Sequence, residues 1–64
     1  MATRREVLFE FRRIGAYVKV SALDAETGTE VSIVGDAAAG EARLKMTAQR
    51  KLEYVLAKNA GAGR

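Results

Sequence analysis

Residues 9–23 read FEFRRIGAYVKVSAL. Apolar and polar side chains alternate on both sides of a glycine, which is the two-residue period of a strand with one covered face. Gly15 and Ala16 would join two such strands. A two-residue connection with glycine first suits a type II′ turn, because glycine takes positive φ without a Cβ clash. That turn sets the register: Ile14 faces Tyr17, Phe11 faces Val20, Phe9 faces Ala22 and Leu8 faces Leu23. Val7, Phe9, Phe11, Val18, Val20 and Ala22 then share one face. Leu8, Glu10, Arg12, Ile14, Tyr17, Lys19, Ser21 and Leu23 share the other. A slip by one residue would exchange the two faces, so the phenylalanine pair holds the register.

Working outward, residues 24–35 (DAETGTEVSIVG) supply a second hairpin. Asp, Thr and Gly are turn residues, and Gly28 can close a four-residue loop, Ala25 to Gly28. Asp24 then faces Thr29, Ala22 faces Val31 and Val20 faces Ile33. Both newcomers fall on the face already assigned to the core, so two independent turns agree. Beyond Val34 the period changes. The stretch GDAAAGEARLKMTAQRKLEYVLAKN is rich in strong helix formers. Leu44, Ala48, Leu52, Val55 and Leu56 line one face at helical spacing. Glu41 falls in the predicted first turn and Lys58 in the last, matching the helix dipole.

The predicted fold is α+β: a three-stranded antiparallel β-meander in order 1-2-3, then one C-terminal α-helix packed on one sheet face (βββα). The expected strands are residues 6–14, 17–24 and 29–35, the helix is 40–59, and 60–64 form a small-residue tail, all within a single domain. Asp36 offers an earlier helix cap, since Ala37 to Ala39 are good helix residues and only Gly40 argues against it.

Composition excludes much chemistry. The 64-residue chain has no cysteine, histidine or proline. It therefore has no disulfide, no imidazole base, no thiolate and no zinc site of the Cys/His kind. Its two serines, Ser21 and Ser32, fall opposite each other on the outer face and read as a structural pair. Asp24, Glu26 and Glu30 surround a turn without EF-hand spacing and read as solvated. Gly35 and Gly40 have the glycine spacing of a phosphate loop. Glu41 and Ala42, however, stand where Lys and Ser or Thr would be needed. No catalytic residue, metal ligand or cofactor is assigned, and the chain is not read as an enzyme. No segment has the roughly 18 apolar residues of a membrane span, and the first residues lack an apolar run of signal-peptide length. A cytoplasmic protein with no membrane partner is expected.

Two surfaces remain as candidates. The outer sheet face would present Leu8, Ile14, Tyr17, Leu23 and Val34 with nothing in the chain to cover them. Met46 and Tyr54 lie off the core stripe of the helix. A contiguous apolar patch marks an interaction site, and the simplest cover is a second copy about a two-fold axis. A homodimer is expected, with docking on another protein also open. The second candidate is nucleic acid. The net charge is +3; Arg12, Arg13 and Lys19 gather on the first hairpin beside Tyr17, with Arg4 and Arg5 at its start, and Arg43, Lys45, Arg50, Lys51 and Lys58 add cations along the helix. Cations next to an aromatic ring can hold phosphate and stack a base. Glu10, Glu30 and Glu53 interleave with them, and no RNA-recognition strand motif is present. A self-associating protein-interaction module is therefore preferred to a nucleic-acid binder.

From about residue 5 to residue 58 the chain resembles a family of short, uncharacterised bacterial proteins. The likeness rests on EFRRIGAYVKVSALDAETGTEVSIVG and on RKLEYVLAK. The family pattern often has a proline after the glycine matching Gly35, where this chain has Asp36. The resemblance implies a compact domain of unknown function and brings no active-site motif with it.

Overall fold

The computed structural model describes residues 6–62. Three strands, β1 (Val7–Ile14), β2 (Tyr17–Asp24) and β3 (Glu30–Asp36), form one antiparallel sheet in order β1-β2-β3. A single 3₁₀ turn, Ala37–Ala39, leads into the helix α1 (Glu41–Ala62). This is the predicted βββα meander.

The register is the one that the turns dictate. Ile14 pairs with Tyr17, Phe11 with Val20, Phe9 with Ala22 and Leu8 with Leu23. Across the second hairpin Val20 pairs with Ile33 and Ala22 with Val31. Gly15 has φ of 60°, and no non-glycine residue among those described has positive φ. Ala16 is therefore on the negative side, which selects the II′ form over I′, where both central residues need positive φ. The second loop closes as expected: the Asp24 amide donates to the Thr29 carbonyl at 2.8 Å, and the Gly28 amide donates to the Asp24 carbonyl at 2.8 Å.

The core is a thin layer between the sheet and α1. Val18, Val20, Ala22 and Val31 from the sheet meet Leu44, Ala48 and Leu52 from the helix, all buried. Val7, Phe9, Phe11, Ile33, Val55 and Leu56 pack around them, partly buried. The helix rests chiefly on β2 and β3, so the phenylalanines of β1 form one border of the core rather than its centre. Two lysines flank the helix like outriggers. Lys45 places its ammonium 5.0 Å from the Phe9 ring centroid, and Lys51 donates to the Ser32 carbonyl at 3.1 Å. Their stems cover apolar surface while the charged ends reach the sheet margins.

The strand-to-helix joint resolves the choice between Asp36 and Gly40. Asp36 caps the 3₁₀ turn, its carboxylate accepting from the Ala38 amide at 2.8 Å. Gly40, with φ of 90°, ends that turn, and α1 starts at Glu41. The joint is tied to the first hairpin by the Ala37 amide, which donates to the Ala16 carbonyl at 2.9 Å. At the far end the helix runs to Ala62. Residues 60–62, expected in the tail, are helical, and 63–64 lie outside the described residues. Lys58 consequently sits before the last turn, which contains no basic residue. Ala60 and Ala62, strong helix formers, carry the helix past Asn59 and through Gly61. No helix among the described residues is long and apolar enough to cross a membrane.

Candidate interaction surface

Since α1 covers one face of the sheet, every other residue of each strand points away from it. Four cross-strand rows build that outer face. From the second hairpin toward the first they are Leu8–Leu23–Glu30, Glu10–Ser21–Ser32, Arg12–Lys19–Val34 and Ile14–Tyr17–Asp36. No element among the described residues covers them. Leu8 is 49% exposed, Ile14 55%, Tyr17 58% and Val34 65%, while Leu23 is partly buried.

The rows are not uniform along the strands. The end near the second hairpin carries the two glutamates, Glu10 and Glu30, around Leu8 and Leu23. The end near the first hairpin carries Arg12 and Lys19 beside Ile14 and Tyr17. The acidic end also contains a depression of about 200 Å³, lined by Leu8, Phe9, Glu10, Ser21, Leu23 and Glu30. Ser21, the smallest side chain of its strand on this face, sits between larger neighbours and leaves room there. The basic end carries an exposed isoleucine and tyrosine.

The structure divides the sequence-derived sites. Leu8, Ile14, Tyr17, Leu23 and Val34 do share one surface. Met46 and Tyr54 do not join it. They are exposed on the side of α1 opposite the buried stripe of Leu44, Ala48 and Leu52, separated from the outer face by the thickness of the domain. Arg12 and Lys19 pair on the outer face, but Arg13 belongs to the other side. Its Nε donates to the Gly15 carbonyl at 3.0 Å, which engages it in its own turn. Arg4 and Arg5 lie outside the described residues. The three cations of the first hairpin thus do not converge.

Asp24 is the residue that sequence reasoning misplaced. Expected in solvent, it is fully buried. Strand parity explains this: Val18, Val20, Ala22 and Asp24 are alternate residues of β2, so Asp24 ends the core face. Its carboxylate accepts from the Thr27 hydroxyl at 2.8 Å. That hydroxyl oxygen accepts from the Thr29 amide at 3.2 Å and lies 2.8 Å from the Thr29 hydroxyl. The Ala25 amide next to it donates to the Glu6 carbonyl at 3.1 Å. Asp24 is thus the buried foot of the loop. The signal was the Asp-x-x-Thr spacing within DAETGT, which lets a carboxylate meet a hydroxyl three residues on. Among the described residues no cluster of three or more carboxylates is placed to hold a metal ion.

Ser21 and Ser32 pair directly across β2 and β3, as the register predicts, with Glu10 completing the row. Gly35 and Gly40 flank the Asp36-capped 3₁₀ turn rather than a phosphate loop.

Together these features define a small α+β domain with one covered sheet face and one open, charge-graded sheet face. Residues 4–59 match the family model described as Domain of unknown function (DUF6898), and the chain belongs to that family. It matches no curated protein and no solved structure.

Proposed function

We infer that the domain is a non-enzymatic protein-interaction module that self-associates through its outer sheet face. The observation that carries this reading is the open group of Leu8, Ile14, Tyr17 and Val34 on a sheet whose other face takes the only α-helix among the described residues. A three-stranded sheet with a single covered face leaves half of its side-chain rows without a core. When those rows hold large apolar residues, a partner gains from covering them. A depression of about 200 Å³ is smaller than the roughly 300–1,000 Å³ typical of ligand pockets, which favours a protein side chain over a small-molecule substrate.

The test is a dilution series of the full chain by light scattering and sedimentation. The mass should rise from monomer toward dimer with concentration. A monomer at every concentration would remove the self-associating reading.

A second reading, a small nucleic-acid binder, is favoured by one observation, the adjacency of Arg12 and Lys19 beside exposed Tyr17. Polarisation binding to labelled RNA and DNA across a salt series separates the two. Phosphate contacts would weaken steeply as salt rises, whereas absence of binding at low salt would eliminate this alternative.

A further inference from the structure

We propose that two copies stack their outer sheet faces about a two-fold axis lying across the strands, so that Ile14 and Tyr17 of each copy enter the depression of the other while Arg12 lies over Glu10. This rests on the self-associating reading and gives it an orientation.

The argument starts from symmetry. Two identical faces can meet about a two-fold axis only if the axis lies in the plane of contact. An axis along the strands sets each end of the face over the same end of its copy. Because such an axis also exchanges β1 with β3, Lys19 would meet Lys19, Glu10 would fall over Ser32 beside Glu30, and Arg12 would fall over Val34, so no cation would face a glutamate. Like charges directly opposed across an interface are unfavourable. An axis across the strands exchanges the ends. The row Glu10–Ser21–Ser32 then lies over Arg12–Lys19–Val34 of the second copy, and Leu8–Leu23–Glu30 lies over Ile14–Tyr17–Asp36.

Shape selects the same arrangement. The depression lined by Leu8, Phe9, Glu10, Ser21, Leu23 and Glu30 is at one end of the face, and the exposed Ile14 and Tyr17 are at the other. The exchange of ends sets the depression over these large apolar side chains twice. The apolar floor receives apolar side chains, and Glu10 on its rim meets Arg12 beside them. One pairing remains unfavourable and occurs twice by symmetry, Glu30 over Asp36 along β3. It lies at the sheet edge, where solvent screens it, and the Asp36 carboxylate is already engaged by the Ala38 amide at 2.8 Å.

The size of the face sets the strength. Three strands spaced about 4.8 Å apart and about 26 Å long cover roughly 400 Å² in plan. A standard interface takes about 800 Å² from each partner. The contact is therefore weak and concentration-dependent, and charge pairing provides its orientation rather than most of its affinity.

Charge exchange tests this directly. Glu10 and Arg12 are both exposed, and circular dichroism would verify that each variant folds. Glu10→Arg and Arg12→Glu, each alone, should weaken self-association by about tenfold or more, because each places two like-charged pairs in the contact. An equimolar mixture of the two variants restores both pairs and should dimerise within about threefold of the parent chain. A parent dimer that neither exchange weakens, or a mixture that is no stronger than its components, overturns this arrangement while leaving self-association standing. A parent chain that stays monomeric overturns both.

Discussion

The Leu44 side chain of α1 lies directly on the backbone of Gly35 in β3. A Cβ built on Gly35 would overlap Leu44 Cδ2, with Cγ at 3.6 Å and Cδ1 at 3.8 Å. Gly35 pairs with Val18, so its missing side chain would have pointed into the core. The absence of a side chain there lets the first turns of the helix descend onto the sheet. Gly35→Ala should therefore destabilise the fold by about 1–3 kcal/mol, as overpacking does, lowering the melting midpoint by roughly 4–8 °C per kcal/mol in a domain of this size. Leu44→Ala alone should cost about 2–5 kcal/mol through the cavity it leaves. The double variant should cost less than the sum, since the new methyl enters the vacated space. Strict additivity in that cycle would show that the two residues do not compete for one volume.

Asp24 supports the second hairpin from inside. Asp24→Ala leaves the Thr27 hydroxyl without its buried acceptor and should cost about 1–3 kcal/mol. Glu30→Ala, an exposed carboxylate on the next strand, should stay within about 0.5 kcal/mol of the parent. Urea unfolding of both variants checks the contrast. Equal effects would contradict the buried role of Asp24.

The first turn depends on backbone rather than packing. Nothing lies within 4 Å of a Cβ placed on Gly15, yet its φ is 60°. An L-alanine there meets no neighbour but pays roughly 1–2 kcal/mol for the left-handed backbone. A D-alanine adopts that φ naturally. In chemically synthesised chains, Gly15→Ala should therefore lower the melting midpoint, and the D-alanine form should match or exceed the parent. A D-alanine variant as unstable as the L-form would mean that crowding, not φ, governs the position.

How far the fold could be read from sequence follows from these residues. Gly15 and Gly28 punctuate short turns, and a short turn leaves one register, so β1, β2 and β3 were legible together with both of their faces. The core stripe of α1 was legible because Leu44, Ala48 and Leu52 repeat at helical spacing. The end of α1 was not, because Gly61 is of the type that commonly ends a helix, while the alanines on either side are strong helix formers and extend a helix already anchored at Leu52 through it to Ala62. Asp24 was misread because its residue type suggests solvent while its parity points inward, and parity prevailed. The outer-face residues were assigned correctly as a group. Met46 and Tyr54 could not be separated from them without knowing that the helix stands on the opposite side of the sheet. The depression beside Ser21 depends on three-dimensional relief, for which one-dimensional alternation carries no signal.

The cation over the core border offers a smaller effect. Lys45 Nζ lies 5.0 Å from the centroid of the Phe9 ring, at the side of the core where β1 is least covered by the helix. Lys45→Met keeps the stem and removes the charge, and should cost about 0.5–1 kcal/mol. In a Phe9→Leu background the same change should cost nearly nothing, because no ring remains to attract the ammonium. A full effect in both backgrounds would assign the role of Lys45 to its stem alone.

The two exposed apolar surfaces predict opposite responses to the same chemistry. Tyr17→Asp removes an exposed ring from the outer sheet face and places a carboxylate where a second copy would present Glu10 and Glu30. Self-association should fall by about two orders of magnitude, since both an aromatic anchor on the middle strand and charge complementarity are lost. Met46→Asp and Tyr54→Asp put the same charge on the solvent side of α1, where no outer-face contact reaches. Sedimentation profiles of those two variants should overlay the parent, and all three should retain the parent's melting midpoint within about 2–4 °C, as surface changes of about 0.5 kcal/mol imply. If Tyr54→Asp abolished association and Tyr17→Asp did not, the helix surface would carry the contact. The sheet face would then be solvent-facing in the dimer, with its glutamates and arginine grading only the surface potential.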